Sequence, residues 1–193
     1  MKVENKYNMS FTSCAFCLYE TQLLAELYLK FKDWDKVKQE AISQNLLQYR
    51  TTTALKRIVR ELISRLKTLP QELIELLPEA TSQEKQSILW YAICNTYPFI
   101  KDFYIEVIQE HRSILRFQLQ LLDFDSFFNA KANLHDNVAN LTTATRNKLR
   151  QVLIKMLKEA DIINKDLYIR PTYISNRVKE IILKHKNETQ DTL

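Results

Sequence analysis

The sequence predicts an all-α protein, and three observations carry that expectation. None of the 193 residues is glycine, where average usage of about 7% would supply a dozen or more. Tight type I′ hairpins and glycine helix stops both rely on positive φ, so helices are favoured over sheets. Apolar residues also recur at steps of three and four through most of the chain, the spacing that stacks side chains along one side of a helix. Finally, hydrophobic residues at 46% and charged ones at 26% supply a core and argue against wholesale disorder. The expected architecture is a compact multi-helix globular fold with two helix-turn-helix elements, the C-terminal one followed by a short β-hairpin in the place of a wing.

Residues 10–31 read as an amphipathic helix, with Phe16, Leu23, Leu24, Leu27, Tyr28 and Phe31 at helical spacing. Asp33 is placed to cap a second helix, because Trp34, Val37, Ala41, Ile42 and Leu46 follow at steps of three to five. Charges balance up to Tyr49, and basicity begins at Arg50. The stretch 50–69, RTTTALKRIVRELISRLKTL, puts Leu55, Ile58, Val59, Leu62, Leu66 and Leu69 in one stripe. Thr53, Lys56, Arg57, Arg60, Ser64 and Lys67 fall in an opposing arc at about 100° per residue. Arg50, Lys56, Arg57, Arg60, Arg65 and Lys67 meet Glu61 alone, a surplus of five that equals the net charge of the whole chain. Helices over 34–47 and 52–69, joined by QYRTT, have the proportions of a helix-turn-helix, in which the first helix braces the second.

Pro70 and Pro78 then bracket a short acidic helix, and Ser82 starts another. Glu72, Glu75, Glu79 and Glu84 offset only Lys85, so this part is expected to face away from a polyanion. Ile88, Leu89, Trp90, Ala92 and Ile93 read as a central core helix that Pro98 ends. A long helix is expected over 99–120, with Phe103, Val107, Ile114 and Leu121 along one side. Asp123 opens the next, with Phe124, Phe127, Phe128 and Leu134 inward. After a cap signal at 141–145, the following helix buries Leu149, Val152, Leu153, Met156 and Leu157. Here Arg146, Lys148, Arg150, Lys155 and Lys158 meet Glu159 alone, a second surplus, of four. Ile162, Ile163, a polar NKD, Leu167, Tyr168 and Ile169 change to the pattern of two short strands about a turn, stopped by Pro171. Asn164 to Asp166 are expected to hold left-handed backbone. A small helix over 172–184 and a frayed polar tail close the chain. The organisation expected is 1–70 as an N-terminal helical region with the first helix-turn-helix, 71–122 as central core helices, and 123–193 as the C-terminal helix-turn-helix.

Several function classes drop out. Without glycine the chain cannot build a Walker loop or a dinucleotide fingerprint. Cys14, Cys17 and Cys94 are an odd number, so no disulfide framework is expected. The C-x-x-C at 14–17 lacks a second ligand pair, and both thiols are read as packing in a helix. His111, His135 and His185 stand alone, and His135 beside Asp136 reads as a capping or core-edge histidine, since neighbours on a helix point about 100° apart. No nucleophile and base occur in a recognisable frame, so no enzyme, metal, cofactor or small-molecule substrate is expected. No apolar run approaches the roughly 20 residues of a membrane span. The opening MKVENKYNMSFTS lacks the pattern of a secretory signal, which places the chain in the cytoplasm.

What remains is two cationic helices, one near residue 55 and one near residue 150, suited to double-stranded DNA, where Arg and Lys neutralise phosphates and release counterions. The contacts expected are Arg50, Thr53, Lys56, Arg57, Arg60 and Lys67 from the first, and Arg146, Lys148, Arg150 and Lys155 from the second. Arg57 and Arg60 are the pair expected to reach bases, because arginine's fork matches the major-groove edge of guanine. The same arcs also describe a solvated face, a helical scaffold that meets acidic patches on partner proteins, or an RNA-binding helical body. Those alternatives stay open on pattern alone.

Several strings taken together resemble one family: SFTS, LLAELYLKFKDWDKVKQEAISQNLLQ with RTTTALKRIVRELISRLKTL, LWYAICNTYPFIKDF, DFDSFFNAKANLHD and TRNKLRQVLIKMLKEA. Their order and spacing are similar to the BrxA family, the small component of BREX bacteriophage-exclusion systems. The resemblance runs over nearly the whole chain. It implies an all-helical protein with two helix-turn-helix elements beside positive surface, binding double-stranded DNA among other BREX defence components, with catalysis left to those partners. Members often carry glycine where this chain has Cys14, Ala15 and Asn164, so its turns depart from the family pattern.

Overall fold

Helical periodicity and capping residues translate directly into local structure. In the computed structural model, which describes residues 6–190, with the ends of the chain and its last tail residues lying outside them, a 3-10 turn over Ser10–Ser13 precedes eleven α-helical segments. They are α1 (Leu18–Phe31), α2 (Trp34–Ser43), α3 (Thr52–Leu66), α4 (Gln71–Leu76), α5 (Ser82–Thr96), α6 (Pro98–Phe103), α7 (Glu110–Ser113), α8 (Leu121–Leu134), α9 (Asp136–Ala139), α10 (Thr143–Glu159) and α11 (Asn176–Gln190). A π-helical stretch, Tyr104–Gln109, joins α6 to α7. The all-α expectation holds: among the described residues the only β pairing is two isolated antiparallel bridges. No described helix is long and apolar enough to cross a membrane.

The described residues form two compact units, one of 17–92 with the residues after 172, the other of the residues before 17 with 93–172. The first is built on α1 to α4. Asp33 caps α2 as its sequence predicts, accepting from the backbone N–H of Asp35 at 2.8 Å and Lys36 at 3.2 Å. Leu24, Ala25, Val37, Ala41, Leu55, Val59, Leu62 and Leu66 form its interior. Tyr28 and Trp34 stack at 3.9 Å across the α1–α2 turn. Glu84, nearly buried, ties the start of α11 to the start of α5. It accepts from both edges of the Arg177 guanidinium at 2.7 and 2.6 Å, from Ser175 at 2.7 Å, and from Thr81. Those bonds hold its carboxyl far below the usual carboxylate range, Arg177 contributing most and Ser175 next.

The second unit is organised by aromatic rings. Phe99 meets Phe127 at 5.1 Å and Phe124 at 6.4 Å, and Phe103 meets Phe127 at 5.2 Å, most of them edge to face, the arrangement ring quadrupoles favour. Beside them Lys131, almost buried, sits 2.5 Å from Glu106 and 3.6 Å from Asp102, and Asp102 also accepts from the Tyr7 hydroxyl at 2.6 Å. Burial and that bond raise the Tyr7 phenol above its ordinary range.

Four expectations are corrected. The helix expected over 99–120 changes to π geometry at Tyr104 and ends at Ser113. Ile114 and Leu121 are therefore exposed rather than inward, and so is Leu134. Tertiary pairing wins over periodicity there: Leu119 donates to the Leu167 carbonyl at 2.9 Å and Ile169 to the Phe117 carbonyl at 2.7 Å, which satisfies backbone that a helix would otherwise claim. Left-handed backbone falls at Cys17, Lys32, Asn45, Gln48, Leu115, Asp161 and Leu167, not at Asn164 to Asp166. Asn164 instead braces its turn through its side chain, which accepts from Asp166 and Tyr168 N–H at 2.9 Å. The first helix begins only at Leu18, and Cys14 and Cys17 ahead of it are disulfide-bonded rather than packed as helix thiols. Cys94 is the free cysteine, its thiol pushed up to about 12 by burial.

His111 gives this unit a testable pH response. Its Nε2 lies 3.7 Å from Asp123, but burial outweighs that attraction and pushes the imidazole below its ordinary value. The unfolded chain therefore takes a proton more readily than the fold does. Stability is full above the unfolded value of about 6.5 and is lost as pH falls through the lower folded value. Urea midpoints are expected to drop as pH falls from about 7.5 to 5.5, and His111→Asn to flatten that slope. Equal slopes for both proteins would remove His111 as the cause.

Candidate nucleic-acid interface

Helix α3 has a capped start and a two-sided sequence. Thr51, in extended backbone, accepts from the Ala54 N–H at 3.3 Å. This satisfies one of the orphan donors of the first turn. Leu55, Ile58, Val59, Leu62, Ile63 and Leu66 are buried, so the opposite arc must face water. Thr53, Lys56, Arg57, Arg60, Ser64 and Lys67 are all exposed, and so is Arg50 just ahead of the helix. The geometry thus places the first group of expected contacts on one face. None of Arg50, Lys56, Arg57, Arg60 and Lys67 forms an ion pair with a carboxylate among the described residues. Lys56 and Arg60 stand four apart, a like-charge spacing that costs an isolated helix a few tenths of a kcal/mol. The face is therefore not arranged for the stability of the helix itself.

Arg65 belongs elsewhere. Counted as part of the cationic surplus, it points inward at 2% exposure, and its Nε donates to Glu61 at 3.1 Å. Burial lowers its pKa, with Glu61 opposing. The surface surplus of this helix consequently comes from the five exposed cations.

Helix α10 starts in the same way, with Thr142 accepting from the Thr145 N–H at 3.2 Å. Its cations have a different fate. Asp125 binds Arg146 at 2.9 Å through one oxygen and Arg150 at 2.8 Å through the other. The Arg146 guanidinium also lies 4.8 Å from the Phe128 ring. Both arginines are half-buried and anchored to α8. Lys148 is exposed and donates to Gln151 at 3.2 Å, and Lys155 is exposed 3.8 Å from Glu159. Of the second expected group, then, the lysines face solvent while the arginines serve packing between α8 and α10. Periodicity could not reveal this, because Asp125 lies 21 and 25 residues before them in the chain.

The connection between α2 and α3 runs over 44–51, longer than the three- or four-residue turn of a typical helix-turn-helix. Asn45 and Gln48 take positive φ within it, and Asn45 closes it by bonding both polar groups of the Tyr49 backbone at 3.1 Å. His135, half-buried, lies against Tyr7 with ring centroids 4.4 Å apart and the rings tilted at 58°, a core-edge position. Among the described residues no group of three or more His, Cys, Asp or Glu side chains is placed to hold a metal ion. Sequence reasoning missed one cluster: Lys165 and Arg170 return beside Lys158 around a hollow at the end of α10. The strand-like pattern at 162–169 was the available signal.

Comparison with known proteins adds the relationship. A family model described as BrxA matches residues 5–186. The BREX protein BrxA of Escherichia coli O9:H4 (strain HS) is 28% identical over 145 residues, 75% of this chain and 68% of that protein. The BREX protein BrxA of Bacillus cereus (strain H3081.97) is 31% identical over 161 residues, 83% of this chain and 80% of its own. Among solved structures, the crystal structure of an uncharacterized protein from Magnetospirillum magneticum has the same fold, with a TM-score of 0.80 at 21% identity over 95% of each chain. With a family match over nearly its full length and a relative 31% identical, this chain belongs to the BrxA family.

Proposed function

We propose that this chain is a non-enzymatic double-stranded DNA-binding subunit that works beside other components of a BREX system. The observation that carries the reading is the exposed cation face of α3, whose cations pair with no carboxylate among the described residues. Phosphates are the partner such a face suits, since each neutralised phosphate releases condensed counterions. Arg57 and Arg60, three apart and on the same side, are assigned the base edges, and Arg50, Thr53, Lys56 and Lys67 the backbone. Lys148 and Lys155 of α10 add phosphate contacts. Arg146 and Arg150, held by Asp125, position that helix. The α2–α3 pair acts as the helix-turn-helix, and the paired segment after α10 as a wing.

A second reading, a protein scaffold, draws on one observation. Ile114, Leu115, Phe117, Leu121 and Leu122 are exposed together around the connection between α7 and α8, and apolar patches of that kind mark interaction surfaces. The two readings use different residues and are separable by mutation. In a gel shift with a random-sequence duplex, Arg57→Ala with Arg60→Ala is expected to lose about tenfold or more in affinity, two cationic contacts at the centre of the face being removed. Binding equal to wild type would remove α3 as the contact surface.

A further inference from the structure

We propose that the hollow at the C-terminal end of α10 is a seat for a backbone phosphate of double-stranded DNA, gripped by Lys158 and Lys165. The inference rests on the DNA-binding reading and names a contact outside the face assigned above. The hollow has a volume of about 410 Å³ and is lined by Lys158, Asp161, Ile163, Asn164, Lys165 and Arg170. Ile163, almost fully buried, forms its floor.

The walls are fixed before any ligand arrives. Ile163 bridges Ile169, Arg170 donates to the Ile162 carbonyl at 2.8 Å, and Asn164 N–H donates to the Tyr168 carbonyl at 2.9 Å. The Asn164 side chain locks the intervening turn from within. Walls preorganised in this way lower the ordering cost of binding in the hollow.

The charges are uneven. Three cations meet one carboxylate, and Asp161 is spent on Arg170. Lys158 and Lys165 are left as the uncompensated pair. Lys158 Nζ already donates to the Lys165 carbonyl at 3.1 Å, which steadies one ammonium at the wall and leaves it two further donors for phosphate oxygens. The negative end of the α10 dipole opposes an anion here, but that half-charge is smaller than two ammonium groups.

A polymer suits the site better than a lone anion. Lys155 stands one turn before Lys158 on the same side, and Lys148 lies seven residues further back, about 10 Å along the axis. All three are exposed, so the cations form a line that ends in the hollow. A row of phosphates can follow such a line, and a single small ion cannot use it.

The test is binding of the full chain to a random-sequence duplex of about 20 base pairs, by fluorescence anisotropy across about 50 to 200 mM salt. Lys158→Gln with Lys165→Gln is expected to reduce the slope of log affinity against log salt by about 1.8 and to weaken binding tenfold or more. Lys158→Arg with Lys165→Arg is expected to keep both, which separates lost charge from lost structure. A glutamine pair that binds like wild type overturns the phosphate seat and leaves α3 as the interface. A wild-type chain that does not bind the duplex overturns both readings. Should millimolar inorganic phosphate at matched ionic strength displace duplex from wild type but not from the glutamine pair, the hollow is a free-anion site, and the polymer assignment fails.

Discussion

Raising salt from about 50 to 200 mM is expected to weaken duplex binding by the wild-type chain by about five-hundredfold or more. The size follows from the number of uncommitted cations. Arg50, Lys56, Arg57, Arg60 and Lys67 are exposed without carboxylate partners among the described residues. Arg50, Lys56 and Lys67, with Lys148 and Lys155 of α10, make five phosphate contacts, which give a slope near −4.5 on logarithmic axes, and a fourfold change in salt then multiplies the dissociation constant by about 500. Contacts from the hollow beside α10 steepen it. Anisotropy titrations at four or so salt concentrations measure the slope directly. A nearly flat response would mean that the cations of α3 stay hydrated in the complex, and the electrostatic basis of the reading would be lost.

The largest expected loss of stability lies on the same helix, on its other side. Arg65→Ala is expected to cost about 3–5 kcal/mol, because it breaks a buried ion pair and leaves one charge behind. Arg65 is 2% exposed, and the Glu61 carboxylate that it meets at 3.1 Å is 13% exposed. Without the guanidinium, Glu61 keeps a charge in a poorly solvated position next to the interior of its unit. Replacing both, with Glu61→Leu and Arg65→Met, is expected to restore much of the loss, since matched apolar groups carry no such penalty. Arg57→Ala, on the exposed arc, is expected to change stability by no more than about 0.5 kcal/mol. Urea unfolding followed by circular dichroism separates the three. An Arg65→Ala protein as stable as wild type would show that the pair is better solvated than its burial indicates.

α3 has an exposed cationic side and a buried side, and most of that division was legible in the residues. The stripe of Leu55, Ile58, Val59, Leu62 and Leu66 is buried and the opposing arc is exposed, as a 3.6-residue period requires. Arg65 was the exception. Charge signals exposure only by default, and a guanidinium with a partner one turn away can lie inside. The half-burial of Arg146 and Arg150 was invisible for a related reason: their partner Asp125 sits on another helix, and periodicity carries no information about pairing across such distances. The exposed Ile114 and Leu121 reflect the early end of the helix at Ser113, and Leu134 is exposed as the last residue of α8. The absence of glycine correctly favoured helices. It did not show which residues would take left-handed backbone: Asn45 and Asp161 do, as asparagine and aspartate are expected to, but so do Cys17, Lys32, Gln48, Leu115 and Leu167.

The arginine side-chain signals of the full chain, followed by NMR while a duplex is added at low salt, test the central claim most directly. Arg57 and Arg60 Nε–Hε signals are predicted to shift in proportion to bound duplex, while that of the interior Arg65 stays in place. Duplex that binds with Arg57 and Arg60 unmoved, or fails to bind at low salt, would contradict the assignment of α3 as a DNA contact.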